Sequence, residues 1–385
     1  MFSVDNFYDF FSSNWGYNKT KNLIMIFQPH GSKDLHNLEP FAIDANDLSE
    51  IAAKSTQTNR IVMHDQEPLF LDHLDTYKDK IKNQKKTLFV NDCRQKSKLE
   101  IISKYPPDIS NLEMFVRASK SGAPGNLILC HSELNSKDIK LLEQNGVIGC
   151  YYWWHGIIAR DWFRHWQHHD DLLPKNKSTA EYRFLLYARD LSGTRTYRRI
   201  LVDHCRQYQQ QVLYNWNGQH VDSDYSAKIE ISDSQKSAIH LVAETLFDTD
   251  KIYLTEKIFK PMVMSQPFIL FGPPRSLEYL RNYGFRTFGD FWDESYDLED
   301  DSDQRMSKLL ELIDDIASMP AQEFYDLYQR LLPVIEHNRQ RFYSEKFQDD
   351  LILELRFNIA RALLEQDQGH QHRLDDKSST DGHDV

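Results

Sequence analysis

The chain has no run of about 18 consecutive apolar residues, the length a membrane-crossing helix needs, so nothing in it is predicted to span a bilayer. Its first residues, Met1-Phe2-Ser3-Val4-Asp5, lack the basic and apolar regions of a secretory signal. The sequons at Asn18-Lys19-Thr20 and Asn176-Lys177-Ser178 therefore carry little weight. Cysteine is scarce: Cys93, Cys130, Cys150 and Cys205 lie far apart and form no C-x-x-C pair. Four such residues make poor zinc ligands and too small a disulfide framework, so reduced core thiols in a cytoplasmic protein are expected. An excess of positive charge is also missing. With 46 Lys and Arg against 58 Asp and Glu, the formal net charge is -12. That argues against a nucleic-acid backbone as the main partner, because such binding is driven by clustered basic residues. No internal repeat at a fixed period is visible.

What is present is an ordinary globular balance, 40 % hydrophobic and 27 % charged, with 22 Phe and 19 Tyr for cores or stacking surfaces. A length of 385 residues suits two domains of about 150 to 200 residues each. Short apolar runs alternate with polar helical stretches. Strands are predicted at Leu23–Phe27, Arg60–His64, Thr87–Val90, Asn126–Cys130 and Val147–Tyr152. A turn is expected at Pro29-His30-Gly31, a capped helix from Asp47 to Lys54, and another opening at Asn135-Ser136-Lys137-Asp138. Strand, helix and strand over roughly 25 residues make a βαβ unit and hence a parallel sheet.

Polar residues concentrate between Asp170 and Tyr182, which sets the expected domain boundary at 178. The second half restarts with strand Tyr182–Tyr187, helix Thr196–Tyr208, strand Gln211–Tyr214 and strand Ala238–Ala243. Amphipathic helices follow at Met306–Ala317, Pro320–Leu331 and Phe347–Leu364. The expected organisation is an N-terminal Rossmann-like domain over 1–178, a second over 179–365 and a disordered polar tail over 366–385. Two doubly wound halves predict a cleft, with ligands at the carboxyl ends of the strands.

The segment Glu244 to Pro274 concentrates the chemistry. Glu244 follows an apolar strand. Thr255 is a good N-cap, which puts Glu256 and Lys257 in the first turn of a helix ending near Met264. Free N–H groups and the positive dipole end there suit a phosphate. Lys257 adds a mobile point charge, and Glu256 can accept two hydrogen bonds from a ribose diol. Strand Pro267–Phe271, the turn Gly272-Pro273-Pro274 and a short helix Ser276–Asn282 ending at Gly284 complete a second βαβ half-turn. Alone, Thr-Glu-Lys is a common solvated helix start; its order with the strand, the turn and an upstream arginine is what gives it meaning.

The string Tyr253-x-Thr255-Glu256-Lys257-x-x-x-Pro261, preceded by Glu244 and followed by Pro267 to Pro274, resembles the donor-binding motif of the alpha-1,3-fucosyltransferase family. The resemblance covers residues 182–297 and reaches no motif in 1–178. It departs at Glu244-Thr245, where the family has Glu-Asn, and at Ile258-Phe259-Lys260-Pro261. It implies the two-domain GT-B fold and a nucleotide-sugar donor, with a GDP-linked sugar favoured. Glu256 would then hold the ribose and Lys257 the diphosphate, with Arg198 matching a diphosphate-binding arginine of the family's first helix in this domain. Glu244, Tyr253 and Thr255 complete the expected donor set.

Inverting transfer needs a base to take the acceptor proton. His64-Asp65-Gln66-Glu67 places three titratable groups at a strand end, and Glu67 or Asp65 is the favoured base, with a capped turn as the alternative. His64, Glu133 and His155 are further acceptor-side candidates. Trp154, Ile158, Trp162 and Trp166, at spacing four, read first as core packing and second as a stacking or membrane-surface stripe. Arg160-Asp161 beside it reads as an ion pair. Asp248-Thr249-Asp250 spells a metal motif but sits in a polar loop, so no metal and no further cofactor is expected; the His-rich tail reads as a solvated spacer.

The expected activity is a metal-independent, inverting glycosyltransferase of surface-polysaccharide synthesis, acting on a glycan or glycolipid acceptor. Its expected place is the cytoplasm, with peripheral contact at the inner membrane face. The alternatives are a non-catalytic nucleotide- or sugar-binding protein on a degenerate transferase fold, and a nucleic-acid-modifying GT-B transferase.

Overall fold

The computed structural model describes residues 24–28, 60–64, 68, 127–144, 148–214, 226, 228–355, 357–358 and 361–362. The expected helix at 47–54, the strand at 87–90, the turn at 29–31 and the tail at 366–385 lie outside the described residues. The chain divides into two compact units: Met1–Trp154 with Leu351–Val385, and His155–Asp350.

The first unit holds a parallel sheet of β1 (Ile24–Gln28), β2 (Arg60–His64), β3 (Leu127–His131) and β4 (Ile148–Tyr151), in that spatial order. Helix α1 (Lys137–Gln144) joins β3 to β4 and closes the βαβ unit that the sequence predicts. Cys130 and Cys150 face each other in register on β3 and β4, both buried and both free. Asn358 donates to the carbonyl of Tyr151 at 2.8 Å.

Helix α2 (Trp154–Phe163) starts where the units divide. Trp154 and Ile158 are buried, whereas Trp162 and Trp166 are half-buried, so the upper part of that stripe is core. The polar stretch at 170–178 is packed into the second unit and does not bridge the two. Ser265 Oγ donates to the carbonyl of Leu172 at 2.5 Å. Lys177 Nζ donates to Ser234 Oγ at 2.8 Å and to the carbonyl of Met264 at 2.7 Å.

The second unit is built on β5 (Tyr182–Leu186), β6 (Val212–Tyr214), β7 (Ser237–Ala243) and β8 (Phe268–Phe271), all parallel, in the order β6-β5-β7-β8. Every residue of β7 and β8 is buried, as expected for strands of a parallel sheet covered on both faces. Helices α3 (Tyr197–Cys205), α4 (Ile231–Lys236), α5 (Phe259–Met264) and α6 (Ser276–Asn282) join the strands and follow β8. Two long helices, α7 (Ser302–Ser318) and α8 (Ala321–Tyr343), come next, then helical residues 345–350. The helix α8 continues well past Leu331, the predicted end, because Val334, Ile335, Asn338, Arg339 and Phe342 carry its buried face on through Pro333.

Capping explains several boundaries. Asp301 accepts from the amides of Asp303 and Gln304 and starts α7. The start of α6 is capped from a distance, by Asp297, whose carboxylate takes the amides of Leu277 at 2.8 Å and Glu278 at 3.2 Å. At the end of α5, Ser265 takes a left-handed conformation with φ 51, and the last carbonyls accept hydrogen bonds from buried cations. Arg339 of α8 donates to the carbonyl of Val263, and Lys177 to that of Met264.

Candidate functional site

After β5 the chain turns to β6 on one side of the sheet, and the next strand, β7, lies on the other side of β5. Strand order therefore reverses between β5 and β7. In doubly wound sheets the ligand crevice lies outside the carboxyl ends of the two strands at such a reversal. The segments leaving those ends are Tyr187–Thr196 and Glu244–Lys257, so this unit's own topology selects the region that the sequence motif marks.

Glu244 follows β7 and is completely buried. Its carboxylate accepts from the Thr255 hydroxyl at 2.6 Å and the Thr255 amide at 3.1 Å, which closes the loop between them. Lys257 Nζ donates to Thr255 Oγ1 at 2.7 Å and Thr245 Oγ1 at 3.3 Å, and lies 4.0 Å from Glu244 Oε2 and 3.7 Å from Glu256 Oε1. Burial pushes the Glu244 carboxyl above its usual range, opposed by Lys257 and the Thr255 donors. Glu256 is buried, with 6 % exposure, while the Lys257 side chain retains 29 %. Two carboxylates thus converge on one partly accessible ammonium.

Thr255 caps the turn as expected, its side chain accepting from the Lys257 amide. The helix itself differs from the expectation. Residues Glu256–Ile258 form a 3₁₀ turn, and α5 proper begins only at Phe259 and has six residues. Pro261, which has no amide hydrogen, is accommodated near the start of α5. So short a helix carries little dipole, and the capacity for an anion rests on Lys257 and its cationic neighbours.

Arg198 lies in the first turn of α3 and is 3 % exposed. Its guanidinium donates to the carbonyls of Asp190 at 3.0 Å, Ala243 at 2.9 Å and Glu244 at 2.7 Å. It ties the exits of β5 and β7 together. Tyr197 beside it donates to the Glu244 carbonyl at 2.6 Å and stacks on Phe247 at 4.6 Å. Arg195, three residues earlier, is held by Asp190 at 3.4 Å in a 3₁₀ turn, Gly193–Arg195, whose Gly193 has φ 56. Thr194 of that turn donates to the Thr245 carbonyl at 3.3 Å. The sequence alone gave no role to Arg195, Tyr197 or Thr245. Their signal is position, on the two segments that leave the reversal point.

A buried polar group adjoins this network. Lys260 Nζ donates to the carbonyl of Lys228 at 2.9 Å and lies 5.4 Å from the centre of the Tyr187 ring. The Tyr187 hydroxyl donates to Asp233 at 2.8 Å, and its ring meets His240 edge-on. Burial lowers Lys260 to about 8, against the pull of Glu256, and lowers His240 to about 3. Tyr253, expected in the donor set, is buried against His155, ring centres 5.0 Å apart. That contact seats His155 in the second unit.

In the first unit, His64 ends β2 at the carboxyl edge of the sheet. Asp65 and Glu67 lie outside the described residues. Glu133 follows β3 and is buried, its amide donating to His131 Nδ1 at 3.3 Å. Ser132 Oγ accepts from the Trp154 amide at 3.0 Å. Asp248 and Asp250 lie in bends after β7, and Arg160 donates to the Phe342 carbonyl at 2.8 Å. Among the described residues no group of three or more His, Cys, Asp or Glu is arranged to hold a metal ion. No helix among them is long and apolar enough to cross a membrane. Comparison with family models, with curated proteins and with solved structures gave no match.

Proposed function

We propose that the protein is an inverting glycosyltransferase of the GT-B type, and that its second unit binds a nucleotide-activated sugar at the β5–β7 reversal. One observation carries this reading: the sheet order β6-β5-β7-β8 gathers Glu244, Thr255, Glu256 and Lys257 at the one strand-order reversal among the described strands. Glu256 binds the ribose diol and Lys257 the diphosphate. Arg198 supports the site by fixing the backbone of both strand exits, and Arg195, at the mouth of the same turn, takes the diphosphate-facing role expected of Arg198.

In the reaction, an acceptor hydroxyl loses its proton to a base of the first unit as its oxygen bonds to the anomeric carbon. The bond from that carbon to the diphosphate breaks, and its electron pair leaves with the nucleoside diphosphate. Lys257 and Arg195 stabilise the charge that develops on the leaving group, so this reading assigns that role to side chains and not to a divalent cation. His64 and Glu133 are the described candidates for the base. GDP-fucose and a bacterial or viral surface-glycan acceptor fit the resemblance of the Thr-Glu-Lys segment, with the reaction on the cytoplasmic side.

The test is thermal stabilisation by nucleoside diphosphates. GDP raises the melting temperature more than UDP does, and Lys257→Ala abolishes that shift, read against the variant's own ligand-free melting temperature. No shift with any diphosphate overturns the proposal. A shift without turnover in the presence of glycan acceptors supports the binding-protein alternative.

A further inference from the structure

Helix α7 brings to the site a buried cation that the proposed chemistry leaves unused. Arg305, in its first turn, is 1 % exposed. One guanidinium nitrogen donates to the carbonyl of Phe247, in the loop between Glu244 and Thr255, and the guanidinium carbon lies 4.5 Å from the centre of that residue's ring. The same carbonyl accepts from the Thr249 amide at 2.9 Å, so the turn after β7 closes on one oxygen. The second nitrogen of the fork donates to the carbonyls of Glu299 at 2.6 Å and Asp300 at 3.3 Å. Those carbonyls belong to the segment that caps α6. Asp297 takes the amides of Leu277 and Glu278, and the Arg275 amide donates to the Asp297 carbonyl at 2.6 Å. Phe247 passes the restraint on. Its ring stacks on Tyr197 at 4.6 Å and 18°, and the Tyr197 hydroxyl donates to the carbonyls of Glu244 at 2.6 Å and of Phe271, the last residue of β8, at 3.3 Å. Arg305 is therefore bonded directly to the loop that leaves β7 and, through one ring, to α3 and the end of β8. A guanidinium holds its donors in a rigid plane, so it sets the distance and the orientation of the segments it bridges. At the other end of α7, Arg183 makes a comparable set of bonds for a different purpose. It donates to the carbonyls of Ile316, Ala317 and Met319 and lies 4.8 Å from the centre of the Phe324 ring, and none of these belongs to the site.

We propose that Arg305 is a positioning residue of the nucleotide site: from α7 it fixes the turn at Phe247, and so holds the loop in which Glu244 grips Thr255 and sets Glu256 and Lys257 for the ligand. This inference rests on the nucleotide-site reading given above. Three carbonyls and a ring occupy the guanidinium, so its part is to set the loop and not to touch the nucleotide. The chain of contacts is continuous: Arg305 to the Phe247 carbonyl and ring, Phe247 to Tyr197, Tyr197 to the Glu244 carbonyl, and the Glu244 carboxylate to the Thr255 hydroxyl and amide. Thr255 in turn accepts from Lys257 Nζ at 2.7 Å. Loosening the first link should displace the last, because each group along it has one packed arrangement.

Two measurements test this, one of which needs no ligand. In calorimetric titrations at a temperature where every variant is folded, GDP should bind Arg305→Met about tenfold more weakly than wild type. Arg305→Lys, which keeps the charge and loses the fork, should recover part of that loss. Arg183→Met should also lower the melting temperature while leaving GDP affinity unchanged. Wild-type affinity in Arg305→Met, or equal losses in Arg305→Met and Arg183→Met, overturns the positioning role. In the ligand-free proteins, amides of residues 244–255 should exchange about tenfold faster in Arg305→Met than in wild type, and at the wild-type rate in Arg183→Met. Wild-type exchange in Arg305→Met overturns the restraint on the loop. Should Arg305→Met fail to fold, Phe247→Leu removes the shared ring and keeps the carbonyl. It should weaken GDP binding about threefold, and unchanged affinity there overturns the proposal. If wild type binds no GDP, the nucleotide reading fails, and the exchange rates still decide whether Arg305 holds the loop.

Discussion

The carboxyl edges of the two parallel sheets carry similar residue types and use them differently. At the edge of the first sheet, His131 ends β3 and Ser132 and Glu133 follow it; the Glu133 amide donates to His131 Nδ1, and Ser132 Oγ accepts from the Trp154 amide. At the edge of the second sheet, Glu244, Thr245, Thr255, Glu256 and Lys257 bond to one another across a loop of eleven sequence positions, with Arg198 and Tyr197 reaching in from α3. The described strands of the first sheet run in sequential order, whereas those of the second reverse. A reversal sends the segments leaving two neighbouring strands to opposite faces, and the opening between them is filled by side chains. The lesson is that a polar residue at a strand end acquires meaning from strand order more than from its own identity.

The largest expected effect separates the two edges. Glu244→Ala removes the acceptor for both Thr255 donors and so opens the loop that carries Glu256 and Lys257; it should cost about 3 kcal/mol of stability and abolish nucleoside diphosphate binding. Glu133→Ala should leave that binding unchanged. Denaturant unfolding with calorimetry reads both, and equal loss of GDP affinity in the two variants would erase the distinction.

Next in size is the contrast between two arginines of one turn. Arg198→Met should cost about 2 kcal/mol, because three backbone carbonyls lose their donor. Arg195→Met should leave the melting temperature nearly unchanged and weaken GDP binding about tenfold. The reverse pattern, a stable Arg198→Met with lost affinity, would return the diphosphate role to Arg198.

A pH-dependent effect concerns how the segment before β5 is held. Burial lowers Lys177 to about 7, well below the ordinary lysine range. The unfolded chain therefore binds more protons than the folded one between pH 7 and about 10. Wild-type stability should rise with pH across that interval relative to Lys177→Met, as measured by melting temperature. A difference that stays flat would show that Lys177 keeps its proton in the folded protein.

Much of this was legible in the sequence. The continuous apolar runs of β7 and β8 read as buried strands, and Ser276–Asn282 was marked by its flanking turn and Gly284. Thr255 was legible as a cap because its hydroxyl precedes the turn it closes. The split into a 3₁₀ turn and the short α5 was not, since periodicity counts apolar positions and does not distinguish the two kinds of turn. Nor was the burial of Arg198 against carbonyls: a sequence shows a cation near a motif, whereas its partners come from the exits of β5 and β7. The place of 155–178 was hidden for the same reason. A charged, proline-containing stretch looks like a linker until Lys177 and Leu172 are seen bonded to residues near the end of α5.

The central claim is about place: the nucleotide binds at the β5–β7 reversal. Amide hydrogen exchange with and without saturating GDP tests it directly. Protection should concentrate at 189–198 and 244–258, with 127–137 unchanged. Protection confined to the carboxyl edge of the first sheet, or none anywhere, would contradict the account.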